Sequence, residues 1–207
     1  MNVHSLSFMA IVCLECTMTE ITQSKKAAAL QATLELISEQ GFHGTPMSQI
    51  AQRANIGVGT IYRYFSGKED LINALYIDVK SRLAQYTLHN YLETRPVRES
   101  CMLLLRNIVD YFLEHPAELM FIEQYANSPL ITAATREEGI RTFEPVNNLF
   151  KHAREANLLK DLPLEMLSTL AYGATISLVK LSLFGHNKLD SHMLDGGISA
   201  IDRKSVV

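Results

Sequence analysis

Cysteine is scarce: the 207-residue chain has three, Cys13, Cys16 and Cys101. That number and clustering exclude a disulfide framework and point to a reducing compartment. The "CLEC" pair has CxxC spacing, but no second pair or His pair completes a tetrahedral site and no βαβ pattern surrounds it. The seven histidines, at 4, 43, 89, 115, 152, 186 and 192, fall at no metal-ligand spacing, and HExxH is missing. No metal and no cofactor is therefore expected. G-x-S-x-G is missing too, so nothing marks a nucleophile elbow and the chain is not expected to be an enzyme. Sustained period-two alternation, internal repeats and low-complexity tracts are all lacking, which argues against a sheet protein or a solenoid. The apolar run Leu6 to Cys16 has neither a basic n-region nor an A-x-A-like cleavage site. Residues 1–20 are expected to be a disordered extension, with Met18 as the natural start. Leu162 to Gly185 is apolar but carries Glu165, Lys180 and several Ser and Thr, a poor spanning segment. The expectation is a cytoplasmic protein without a membrane partner.

What is present is an apolar, mixed-charge chain with a helical period. It is 47% hydrophobic and 20% charged with net charge −3, a composition for one sizeable core or two small ones. The charge is uneven. Ile21 to Arg82 holds seven Lys/Arg against five Asp/Glu, whereas the rest holds twelve against seventeen. A mildly acidic whole is thus compatible with an anionic partner for the N-terminal part.

The fold class is all-α. A first helix is expected over Ser24 to Gln40, with Ala27, Leu30, Leu34 and Ile37 on one stripe and Gly41 as its C-terminal cap. In "TPMSQIAQRANIGVGTIYRYFSGKEDL", Thr45 and Pro46 read as N-cap and first helical residue, and Met47, Ile50, Ala51 and Ala54 form an i, i+3, i+4, i+7 stripe. "NIG" breaks that helix, since Asn55 and Gly57 both accept the geometry of a sharp corner. A second short helix, Val58 to Phe65, turns Ile61 and Phe65 inward. Thr60, Tyr62, Arg63 and Tyr64 remain for the outside. A longer helix begins near Lys68 with an acidic first turn and a stripe through Leu71, Leu75, Val79 and Leu83.

Two short helices joined by a tight turn, the second opening on small and hydrogen-bonding residues, have the form of a helix-turn-helix. Gly57 and Gly59 allow close backbone approach to a duplex, and Thr60 and Tyr62 offer hydroxyls to phosphate oxygens. Arg63 can bind a phosphate or reach a guanine edge. Thr45 and Lys68, each near a helix start, are placed to grip the backbone on either side. The spacing alone also fits an all-α enzyme or small-molecule carrier in which the motif is incidental.

From Lys26 to about Leu75 the sequence resembles the N-terminal domain of TetR/AcrR-family transcriptional regulators. The resemblance is carried by "AALQATLELISEQGF", "TPMSQIAQRA" and "GVGTIYRYFSGKEDLINAL". It implies a three-helix DNA-binding head over residues 21–68, a connecting helix over about 68–90, and a ligand-binding and dimerisation bundle within 69–207. Carried over position by position, it implies DNA contacts at Thr45, Val58, Gly59, Thr60, Tyr62, Arg63, Tyr64 and Lys68. Thr60, Tyr62 and Lys68 would anchor phosphates, and Val58 and Arg63 would discriminate bases. Asn55 stands where the family usually has its turn glycine, and Gly57 where a serine commonly caps the recognition helix.

After the boundary "ETRPVRES", helices are expected at Val97 to Glu114, Ala117 to Asn127, Thr132 to Asn157, Pro163 to Phe184 and Ser191 to Ile201. The helix over 163–184 is apolar on nearly all sides, as a helix buried on every face must be. With the helix over 191–201 it is expected to form a two-fold homodimer interface, or else to be the core helix of a monomer. Phe112, His115, Phe121 and Tyr125 suit the wall of an apolar pocket. The resemblance adds Phe143, Asn147 and Tyr172 to that wall. The function it implies is a regulator, in the repressor sense, released from a pseudo-palindromic operator by a small-molecule effector. A C-terminal part that only dimerises or binds protein stands as a further alternative.

Overall fold

A computed structural model describes residues 23–158 and 162–185. Among the described residues every regular element is a helix. The chain divides into two compact units: one reaches Leu75 and includes Ser128–Ile131, and the other comprises Tyr76–Asn127 and the residues from Thr132 on.

In the N-terminal unit α1 covers residues 23–40, α2 is Met47–Arg53, α3 is Val58–Tyr64, and α4, Lys68–Thr87, contributes its first two turns. Gly41 ends α1 at φ 73°, its N–H donating to the Ile37 carbonyl at 2.9 Å, the left-handed cap that glycine adopts without a Cβ clash. Leu30, Leu34 and Ile37 are buried as the stripe requires, but Ala27 is exposed, and Ala29, Thr33 and Leu36 share the buried face instead. At the corner Asn55 takes the left-handed conformation at φ 53°. Gly57 does not; it sits at φ −67°, ψ 143° as the N-cap of α3. Ile50, Ala51, Ile61, Phe65, Leu71, Ile72 and Leu75 are all buried in this unit. α4 opens on a local clasp in which the Asp70 carboxylate accepts the Ser66 N–H at 2.7 Å and the Ser66 hydroxyl at 3.1 Å. The Asn73 amide donates to the Leu130 carbonyl at 2.9 Å, which ties Ser128–Ile131 to this unit.

Thr45 departs from expectation. Pro46 is the N-cap of α2, without a side-chain cap bond, and Thr45 is fully buried with its hydroxyl donating to the Gly41 carbonyl at 2.8 Å. Thr45 therefore locks the α1–α2 turn from inside, and its hydroxyl is not presented to a partner.

In the second unit the rest of α4 joins α5 (Val97–Glu114), α6 (Pro116–Tyr125), α7 (Ala133–Arg141), α8 (Glu144–Glu155) and α9 (Leu164–Phe184). The single helix expected over Thr132 to Asn157 is two. Pro145 lies in the first turn of α8, where it has no N–H to return to the Arg141 carbonyl and disfavours helical geometry at Glu144. One core cluster joins Leu104 and Leu105 of α5, Leu149 and Phe150 of α8, and Leu167 and Ala171 of α9. Cys101 is buried in the same cluster, and burial pushes its thiol up to about 11, so it is an inert apolar filler. Cys13 and Cys16 lie outside the described residues. Arg82 of α4 bonds Asp78 and the buried Glu118 of α6, and the Tyr111 hydroxyl of α5 donates to Glu118, so this buried carboxylate is fully met.

α9 has the length and composition of a spanning segment, with mean hydropathy 1.4 over its most apolar window. Leu167, Ala171, Thr175, Ile176 and Val179 turn one face inward, and the helix packs on α5 and α8. It is not buried all round: Met166, Leu170, Leu181 and Phe184 are exposed, on a stripe that also carries Gly173 and Ser177. The helix expected over 191–201 lies outside the described residues.

Candidate nucleic-acid interface and ligand cavity

The outer face of α3 follows from its period. With Ile61 and Phe65 buried, Arg63 falls opposite them and is exposed, and Val58 and Tyr62 lie on the flank, 43% and 53% exposed. Thr60 and Tyr64 are half-buried at the edges of this face. Gly59 has open space where a Cβ would project, so no neighbour among the described residues demands a glycine there. Gly57 likewise has room for a side chain, the nearest atom being the Thr60 hydroxyl at 3.6 Å.

The two arginines of this motif have different duties. Arg53 makes a bidentate pair with Glu39 at 2.9 Å and a further bond to Glu35 at 3.3 Å, which holds α2 against α1. Arg63 has no ion-pair partner among the described residues. It is the free guanidinium of the face. Lys68, at the start of α4, lies over the Phe42 ring at 4.3 Å, and partial burial lowers its affinity for the proton.

The second unit holds a cavity of about 200 Å³ whose wall is mostly apolar, with Leu83, Leu105, Ile108 and Phe150 among its lining. Phe143, Asn147 and Tyr172 line it, as do Ser168 and Lys80. Burial brings Lys80 down to about 8, and its ammonium rests over the Phe143 ring at 4.3 Å. The Tyr172 phenol is held well above its ordinary value by burial and by the nearby Glu123 charge, so it is a neutral donor.

Residues 29–75 match the family of bacterial regulatory proteins, tetR family, and residues 96–201 match the tetracyclin repressor-like C-terminal domain. The chain belongs to the TetR family. It is thus a DNA-binding transcriptional regulator, and the all-α architecture of a helix-turn-helix head and a helical C-terminal domain is that of the family. An uncharacterized HTH-type transcriptional regulator of Haemophilus influenzae is 27% identical over 81% of this chain and 88% of its own. A TetR-family transcription regulator from Marinobacter aquaeolei shares the fold with TM-score 0.81 at 22% identity, covering 89% of this chain and 98% of that one. So does the regulator FadR from Bacillus subtilis, solved in complex with stearoyl-CoA, with TM-score 0.66 at 18% identity and coverage of 84% and 98%.

Within this TetR-family chain the expected head residues Val58, Gly59, Thr60, Tyr62, Arg63 and Tyr64 fall together on α3, and Lys68 opens the next helix. Thr45 stands apart, inside the turn. The expected pocket residues divide. Phe143, Asn147 and Tyr172 line the cavity, whereas Phe112 and Phe121 are fully buried and Tyr125, stacked on Phe121 at 5.4 Å between centroids, is buried too. His115 stacks on Tyr111 at 4.6 Å. None of these four lines this cavity. Lys80 was not singled out from the sequence, although a signal exists: Tyr76, Lys80 and Leu83 recur at i, i+4 and i+7, and the first and last are buried.

Proposed function

We propose that this TetR-family regulator acts as a homodimeric repressor whose α3 helices enter the major grooves of a pseudo-palindromic operator and whose C-terminal cavity receives a small-molecule effector. The observation that carries the DNA side is the exposed outer face of α3, where Arg63, unlike Arg53 of α2, has no ion-pair partner among the described residues. Tyr62, Thr60 and Lys68 serve as phosphate anchors in this reading, and Val58 and Arg63 read base edges. Gly59, unconstrained within the chain, lets the backbone come close to the duplex. Thr45 contributes by holding the turn, and Tyr64 by bracing the edge of the face. The unit containing this head is taken to extend to about residue 68, with the rest of α4 connecting it to the effector domain.

The dimer rests on α9. Met166, Leu170, Leu181 and Phe184 expose a continuous apolar stripe, the Ser177 hydroxyl in it is already bonded to the Gly173 carbonyl at 2.8 Å, and Gly173 has open space around it. A stripe of that length with its polar group internally satisfied suits a second copy of the same helix across a two-fold axis. Effector binding shifts the operator-competent population through a difference in ligand affinity between two states, typically about 1–3 kcal/mol in such coupling.

Selection from genomic DNA with the purified protein, repeated with a metabolite extract, tests the whole reading. A selected palindrome that is lost with the extract is expected. No salt-dependent DNA binding would instead favour an all-α carrier or enzyme, and a monomer by sedimentation at micromolar concentration would refute the dimer.

A further inference from the structure

We propose that the cavity of the C-terminal unit takes a small apolar carboxylic acid, with Lys80 as the counter-ion of its head group. The inference deepens the effector reading above and rests on it.

The carboxylates of this unit that form ion pairs are already matched to other cations. Asp78 and Glu118 are bonded to Arg82, and Glu123 is bonded to Lys180 at 2.7 Å. Lys80 has no carboxylate among the described residues and only the face of Phe143 beneath its ammonium. A cation held against an apolar wall without an anion costs stability, and its lowered proton affinity records that cost. The rest of the lining gives the body of the ligand its character. Leu83, Leu105, Ile108, Ile140 and Phe150 offer hydrocarbon, while the Asn147 amide and the Ser168 and Tyr172 hydroxyls add neutral hydrogen-bonding groups. Such a wall with one cation suits a ligand with one anionic end and an apolar remainder.

Size narrows the class. A cavity of about 150 Å³ lined by aliphatic side chains accepts benzene, so the ~200 Å³ here accommodates roughly eight carbon atoms. A bulky thioester carrier would not enter whole. A medium-length carboxylate would, with its chain along α5 and α8 and its head at Lys80.

The full-length protein is titrated by calorimetry at pH 7 with octanoate, octanol and octylamine, which share a chain and differ in head-group charge. Octanoate is expected to bind about tenfold or more tightly than octanol, because a charge-assisted hydrogen bond replaces the missing partner of Lys80. Octylamine should bind most weakly. In Lys80→Met the preference for octanoate should vanish while octanol still binds. Equal affinity for octanoate and octanol, tighter binding of octylamine, or a preference that survives in Lys80→Met overturns the proposal. If octanol or octylamine binds best and releases the protein from DNA, the effector reading stands and only the charge assignment falls. If none of the three binds, the cavity is not an effector site of this size and both fall. The wild-type comparison decides the matter even should Lys80→Met fail to fold.

Discussion

Two lysines twelve residues apart on α4 carry the same local contact and differ in everything around it. Lys68 lies 4.3 Å from the Phe42 ring in the N-terminal unit, and Lys80 lies 4.3 Å from the Phe143 ring in the other. Burial lowers the proton affinity of Lys68 modestly, but brings Lys80 down to about 8. A ring face therefore does not define a lysine's role; access to water does. At the start of α4 the half-buried Lys68 ammonium keeps part of its water, so its attraction to a polyanion would be screened by salt. Against the cavity wall the same group is desolvated, so each anion it meets counts for more.

The proposed contrast, between a head that works through its surface and a unit that works through its interior, can be broken at several points. The largest effect is expected from Ile61→Ala, which empties a fully buried site beneath α3; the head should lose about 2–5 kcal/mol by urea unfolding. Arg63→Ala should leave stability unchanged and weaken operator binding by about 1–3 kcal/mol. A loss confined to certain base pairs marks a reader, whereas an equal loss on all sequences marks a phosphate contact.

Lys80→Met should stabilise the protein by about 1–2 kcal/mol at pH 7, the linkage expected for a desolvated cation discounted for partial exposure. The sign follows from proton binding. The unfolded chain holds the Lys80 proton up to about its ordinary 10.5 and the folded chain only to about 8. Wild-type stability should thus rise with pH across that window, and the advantage of Lys80→Met should shrink across it in pH-dependent melting curves. Gly59→Ala should stabilise α3 by about 0.8–1 kcal/mol, since its Cβ meets nothing among the described residues, and yet weaken DNA binding. Gains in both would remove the close-approach role of Gly59. Lys68→Ala is expected to change least, lowering the salt slope of operator binding by about one unit. An unchanged slope argues against a phosphate contact.

Legibility followed the range of the forces involved. The Gly41 cap, the corner at Asn55 and the α5 helix Val97–Glu114 depend on neighbours within a few positions, and the sequence reading places them where the structure does. The inward turn of Thr45 and the break before Pro145 are set by a competing local bond and a missing one, which the longer stripe concealed. Phe112, Phe121 and Tyr125 illustrate a harder limit. Aromatics at helical spacing look alike whether they fill a core or face a cavity, because the difference lies in what packs opposite. Lys80 escaped for the converse reason: a lone lysine on an amphipathic helix ordinarily marks the wet side, and only its register with Tyr76 and Leu83 says otherwise.

Gly139 of α7 is buried, and a Cβ there would come within 2.7 Å of the Tyr76 ring and 3.5 Å of Lys80 Cγ. A single hydrogen atom therefore sets the clearance between α7 and α4. Since Ile140 and the following Phe143 help wall the cavity, this clearance works as a gauge for its width. One substitution at that position would press on Tyr76, which is not part of the cavity wall, and on the stem of Lys80, a route by which the chamber's width could be retuned without replacing any residue that lines it.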